Sequence, residues 1–124
     1  MSACVIWLDS EHANIFKISA AGIENKKMAR HTINPVGSHF DAHKHNAEEH
    51  FFQKIAAEVG DVEELLVFGA GMAKTHFKTH LEKHNTQLTK HLVGVEPLDK
   101  LTDNQILEAS RKFFKKYNMF HSAV

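Results

Sequence analysis

Hydrophobic and polar positions fall into two regimes along the chain. Up to about residue 33 the apolar residues come in strand-like runs, and from Asp41 they recur with a helical period. Ala3–Leu8 (A-C-V-I-W-L) is apolar and β-prone, Asp9–His12 is polar and suits a turn, and Ala13–Ser19 resumes with Ile and Phe. These two runs predict an antiparallel hairpin. Ala21-Gly22 breaks the pattern. Ile23–Ile33 then predicts a third, more exposed strand, with Met28, His31 and Ile33 at its better β positions. Its Lys26, Lys27 and Arg30 suit a sheet edge, where charge blocks unwanted pairing. Asn34–Ser38 (N-P-V-G-S) reads as a loop.

On a 3.6-residue helix Phe52, Ile55 and Val59 share a face, with Phe51 and Ala56 at its margins. Asp41 is the expected N-cap and Gly60 the expected stop. Leu65–Phe68 is a short unbroken apolar run, the habit of a parallel strand covered on both faces. Gly69 and Gly71 predict a tight turn with both glycines at positive φ. A helix from Ala73 follows, burying Phe77 and Leu81 and ending near His84-Asn85. His91–Val95 is the fifth predicted strand, closed by Pro97. Thr102–Tyr117 carries the clearest helix signal, because Thr102 and Gln105 form a capping box. Its buried stripe is Ile106, Ala109 or Ser110, Phe113 and Tyr117.

The predicted order is β-β-β-α-β-α-β-α. Three meandering strands followed by two crossovers give an α/β fold. The expected architecture is a mixed five-stranded sheet of order 3-2-1-4-5 with helices on both faces, a ribonuclease-H-like layout. A ferredoxin-like sandwich is disfavoured because three strands precede the first helix. The 124 residues are expected to form a single domain, 1–124.

Composition narrows the function classes. Fifteen basic and fifteen acidic residues cancel, so any anion site must be local. Eleven histidines make the net charge sensitive to pH near neutrality. One cysteine, Cys4, allows no internal disulfide and fits a reducing compartment. No stretch reaches the length of a membrane span and the N-terminus lacks a signal-peptide pattern, so a cytoplasmic protein with no membrane partner is expected.

Four constellations could carry chemistry. The first is G-A-G-M-A-K, where backbone N–H groups near Gly71, together with Lys74, could meet an anion at a helix start. It is neither a phosphate-binding P-loop nor a complete dinucleotide fingerprint. The second is acidic: Asp9 at the end of the first strand and Glu48 one turn before Phe52 suit two members of a metal-dependent nuclease site. The place where a third acid is needed reads Phe68-Gly69-Ala70, so no catalytic residue is assigned. The third is histidine-rich. His39, His43, His45 and His50 surround the start of the first helix, while His76, His80 and His84 repeat every four residues on the second. Helical angles put His43 and His50 in solvent, and His80 and His84 nearer Phe77. An i, i+4 His pair can chelate zinc, but the intervening Glu of H-E-x-x-H is missing. The pattern therefore assigns no physiological metal or cofactor, only adventitious nickel or zinc. The fourth is basic: Lys26, Lys27 and Arg30 on the third strand, and Arg111, Lys112, Lys115 and Lys116 on the last helix. Cys4 has no evident base partner.

Three segments carry a resemblance. They are V-I-W-L-D-S-E-H-A-N-I-F from Val5, L-L-V-F-G-A-G-M-A-K-T-H-F from Leu65, and H-L-V-G-V-E-P-L-D-K-L-T-D-N-Q-I-L from His91. They resemble small bacterial proteins labelled translational machinery proteins, which are similar to the middle domain of class-1 peptide-release factors of eukaryotes and archaea and of Pelota. In release factors a loop before the long helix carries a Gly-Gly-Gln tripeptide that promotes peptidyl-tRNA hydrolysis. The corresponding stretch here, Asn34–Asp41 (N-P-V-G-S-H-F-D), has one Gly, Gly37, and no Gln. The resemblance thus implies a ribosome or structured-RNA partner without the hydrolytic role.

The leading expectation is a non-enzymatic RNA-binding module associated with the ribosome. Its anticipated RNA- or anion-binding residues are Gly37, His39, His43, His45, Gly71, Lys74, Lys112, Lys115 and Lys116. Affinity should rise on acidification as the imidazoles gain protons. The alternatives are a hydrolase acting on RNA or an ester bond through Asp9, Glu48 and nearby histidines, and a homodimer or larger homo-oligomer paired through a sheet edge.

Overall fold

The computed structural model describes residues 2–30 and 44–122, with side chains at 2–30 and 47–118. The described strands are β1 (Ala3–Leu8), β2 (His12–Ser19), β3 (Gly22–Ala29), β4 (Glu64–Gly69) and β5 (Leu92–Pro97). The described helices are α1 (Lys44–Val59), α2 (Ala73–His84), α3 (Thr86–Thr89) and α4 (Asp103–Ser122). The sheet order is β3-β2-β1-β4-β5, as the element order implies. β1–β2 and β2–β3 are antiparallel, whereas β1–β4 and β4–β5 are parallel.

β1 and β4 form the centre because side chains on both of their faces are apolar. Cys4, Ile6 and Leu8 of β1, with Leu65 and Val67 of β4, point into one core. Val5 and Trp7, with Leu66 and Phe68, point into the other. The first core is closed by Phe51, Phe52, Ile55, Ala56 and Val59 of α1 and by Ala73, Phe77 and Leu81 of α2. The second is closed by α4 through Ile106, with Phe113 and Phe114 packed against it. Helices therefore cover both faces, α1 and α2 side by side on one and α4 on the other. Phe77 is fully buried and meets Phe52 edge-on at 5.4 Å, so truncating either ring costs about 3–5 kcal/mol. The Trp7 indole donates to the Leu98 carbonyl at 3.0 Å, which ties the chain after β5 to the central strand.

Several boundaries differ from the sequence-based expectation. β3 stops at Ala29 among the described residues; His31 and Ile33, the loop around Pro35 and the expected Asp41 cap lie outside them. α4 continues through Ser122, beyond Tyr117. Its capping box is present: the Gln105 N–H donates to Thr102 Oγ1 at 3.3 Å and the Thr102 N–H to Gln105 Oε1 at 3.0 Å. Ser110 rather than Ala109 is the fully covered residue of the stripe, and its hydroxyl donates back to the Leu107 carbonyl at 2.6 Å. The one-turn helix α3 has no counterpart in the expected elements. It starts where Asn85 accepts the Leu88 N–H, at 3.1 Å.

The central turn is built differently from its expected form. Gly71 has φ of 70°, the left-handed conformation that glycine adopts freely. Gly69 is not at positive φ. It is the last residue of β4, paired with Leu8, and a Cβ there would lie 2.3 Å from the Leu8 carbonyl oxygen. Glycine is needed at Gly71 for conformation and at Gly69 for space.

Candidate functional site

The glycine turn opens α2 without a side-chain cap, and Met72 before it is exposed. The Lys74 ammonium donates to the Gly71 carbonyl, closing the turn on itself. Lys74 thus has a structural partner within the very segment expected to receive an anion.

Asp9 is a turn residue. Its carboxylate accepts the N–H groups of Glu11 at 2.8 Å and His12 at 2.7 Å. Glu48, half-buried on α1, faces His76 of α2 at 3.7 Å. Among the described residues, Asp9 and Glu48 belong to no cluster of three metal-ligating side chains. Cys4 is fully covered, and burial pushes its thiol up to about 12, so it carries no reactive thiolate near neutral pH.

The basic residues divide into two sets. Those of the third-strand segment are engaged, Lys26 and Lys27 on β3 and Arg30 just beyond its end at Ala29. Lys26 pairs with Glu58 of α1 at 3.4 Å, and Lys27 with Asp103 of α4 at 3.0 Å. Successive strand residues point to opposite faces, so these neighbouring lysines tie the edge strand to helices on opposite sides of the sheet. Asp103 also accepts from the Asn14 amide at 2.9 Å. The Lys27 and Asn14 hydrogen bonds hold its carboxyl below the usual carboxylate range. Arg30 donates to the Ser10 carbonyl at 3.2 Å. The second set lies on α4, where Lys112, Lys115 and Lys116 are exposed and pair with no carboxylate among the described residues. Arg111 beside them is held by Glu108 at 3.3 Å. Lys112, Lys115 and Lys116 therefore form a cationic surface that the fold leaves to solvent.

The most concentrated polar arrangement joins α1 and α2. The i, i+4 spacing puts His80 and His84 on one face of α2, and the packing of α1 beside it brings Glu49 to them. Glu49 Oε2 lies 3.1 Å from His80 Nδ1 and 3.2 Å from His84 Nε2, so both rings share one carboxylate oxygen. His80 is only 3% exposed, with its ring edge-on to Phe52 at 5.6 Å. His84 and Glu49 are about half exposed, at 51% and 50%. His76–Glu48 repeats the pairing one helical turn away. The residue after His80, where H-E-x-x-H has its Glu, is Leu81; the acid that meets both rings comes from the neighbouring helix, 31 residues before His80. Helical angles foresaw His80 nearer the core, but no local pattern pointed to Glu49. His50, expected in solvent, is half-buried.

Gly37, His39 and His43 lie outside the described residues, as does the side chain of His45 in the first turn of α1.

No protein-family model and no curated protein sequence matches the chain. Solved structures do. The fold is one found within Pelota and within an archaeal termination factor. Pelota of Archaeoglobus fulgidus is similar at a TM-score of 0.66 and 16% identity, over 98% of this chain and 36% of that one. Thermoplasma acidophilum Pelota is similar at a TM-score of 0.59 and 16% identity, over 87% of this chain and 31% of that one. The archaeal translation termination factor aRF1 is similar at a TM-score of 0.52 and 16% identity, over 98% of this chain and 41% of that one. The chain thus spans at most about two-fifths of the length of these proteins, and at such identities the likeness establishes the fold alone. No described helix is long and apolar enough to cross a membrane.

Proposed function

We propose that this protein is a translation-associated module that contacts the ribosome or structured RNA without catalysing hydrolysis. The observation that carries this reading is the match of 98% of the chain to one part of an archaeal translation termination factor and of a Pelota protein. Three further features support it. Lys112, Lys115 and Lys116 offer an exposed cationic surface on a chain whose net charge is zero. The stretch Asn34–Asp41 contains no glutamine, the side chain that the release-factor resemblance requires for peptidyl-tRNA hydrolysis. Asp9, the acid a nuclease would need at the end of β1, is engaged by the backbone of its own turn. Gly37, His39, His43 and His45 belong to the proposed contact segment, with the α4 lysines as a second contact. Gly71 and Lys74 are proposed only as a secondary anion contact, since Lys74 must first leave the Gly71 carbonyl.

The test is co-sedimentation of purified protein with ribosomes across a salt series, with parallel assays of peptidyl-tRNA hydrolysis and RNA cleavage. Salt-sensitive co-sedimentation without turnover is the expected result. Turnover lost in Asp9→Asn would overturn the non-catalytic reading, and no ribosome or RNA association at low salt would overturn the reading as a whole.

A further inference from the structure

We infer that Glu49, His80 and His84 form a binding site for a divalent transition ion of the zinc class, one that clamps α1 to α2. The donor set is two imidazole nitrogens and one carboxylate oxygen, a combination suited to zinc. Their ligand atoms all lie within 4.8 Å of one another. A tetrahedral ion with bonds of about 2.0–2.1 Å places adjacent ligand atoms about 3.3 Å apart. The two nitrogen-to-oxygen separations, 3.1 and 3.2 Å, already match that edge. The remaining adjustment is between the two rings, whose centroids are 4.9 Å apart and of which His84 is half exposed.

The surroundings favour an ion over a surface coincidence. His80 is anchored: its ring is buried against Phe52, so one ligand is held before the ion arrives. His84 and Glu49 are open to solvent, which gives the ion a route of entry and leaves its fourth position to water. His84 is also the last residue of α2, where the negative end of the helix dipole favours a cation. In the metal-free chain, each nitrogen facing Glu49 must carry a proton to donate to it. On binding, each ligating nitrogen gives up its proton, which in a neutral ring moves through solvent to the other nitrogen, Nε2 of His80 and Nδ1 of His84, and the ion takes its place against the carboxylate.

The experiment is zinc titration of the full chain by calorimetry at pH 7.5, with imidazole 15N spectra recorded on the same samples. One zinc per chain is expected, with the His80 and His84 resonances shifting first. Glu49→Gln and His84→Ala change half-exposed residues and should leave the fold intact, yet each should weaken binding by about tenfold or more. His12→Gln, at the far β1–β2 turn, should leave binding unchanged. A melting temperature raised by zinc in the native chain, and restored to its starting value by chelator, would support the clamp. Eleven histidines make adventitious binding easy, so zinc held equally well by both variants would overturn the site. Absence of binding to the native chain would do the same.

Discussion

Gly69 of β4 lies so close to Leu8 of β1 that the smallest side chain would meet the Leu8 carbonyl oxygen at 2.3 Å. The obstacle is backbone in the centre of the sheet, which cannot swing aside as a side-chain tip can. Gly71, two residues on, has open space around its α-carbon but a φ of 70°. Gly69→Ala should therefore destabilise by about 3 kcal/mol, the upper end of overpacking costs. Gly71→Ala should cost about 1–2 kcal/mol, the penalty of a left-handed alanine. Urea denaturation of both variants checks the order. Equal losses would remove the distinction between a glycine required for space and one required for conformation.

Asp103 joins α4 to the sheet edge through Lys27 and Asn14, and these partners lower its pKa. The sign follows from linkage. A carboxyl whose folded pKa lies below its unfolded value, about 3.9, adds stability above that value and loses it as pH falls through the folded pKa. Asp103→Asn should cost no more than about 1 kcal/mol at pH 7, because the pair is substantially exposed. The difference between variant and native chain should shrink at acidic pH. Unfolding measured at pH 7 and near pH 3, with NMR titration of the carboxyl, tests this. A cost that stays the same at both would show that the contact acts through shape rather than charge.

Cys4 should behave as a core methylene. With its thiol at about 12 against an ordinary value of 9.0, it should resist Ellman's reagent at pH 8 in the folded chain and react at once in denaturant. The raised pKa also predicts stability that is complete below the unfolded value and declines as pH rises toward about 12, since only the unfolded thiol ionises readily there. Fast labelling of the native chain would mean that β1 opens locally.

The α4 lysines test the proposed function at the level of residues. Replacing Lys112, Lys115 and Lys116 together by Gln removes three exposed charges that have no described acidic partner. Ribosome or RNA affinity should fall at every pH. The slope of log affinity against log salt should shrink by about 2–3 if all three meet phosphates. Thermal stability should hardly change, because none supports the core. An unchanged salt slope would move the contact elsewhere, first to the segment containing His39, His43 and His45.

The kinds and order of the elements are legible from the sequence because they depend on periods spanning a few residues. Leu65–Phe68 reads as a strand covered on both faces because it is a short run without alternation, and β4 is buried in both cores. Thr102 and Gln105 announce the start of α4 because both halves of a capping box lie within one turn. Three strands before the first helix, then two crossovers, leave few topologies, and the observed sheet order is among them. Four-residue α3 is not legible because it is too short to show a period, though Asn85 is a local capping signal. Contacts between elements were a different matter. That Gly69 is pressed against Leu8 depends on the β1–β4 register, which no property of either segment states. That Lys26 and Lys27 reach opposite helices depends on where those helices lie. Glu49 meets His80 and His84 only because α1 and α2 pack side by side, and nothing within a few residues of any of the three encodes that approach. Local sequence sets which faces are apolar and must be buried; the packing of those faces then decides which polar residues at their rims come together.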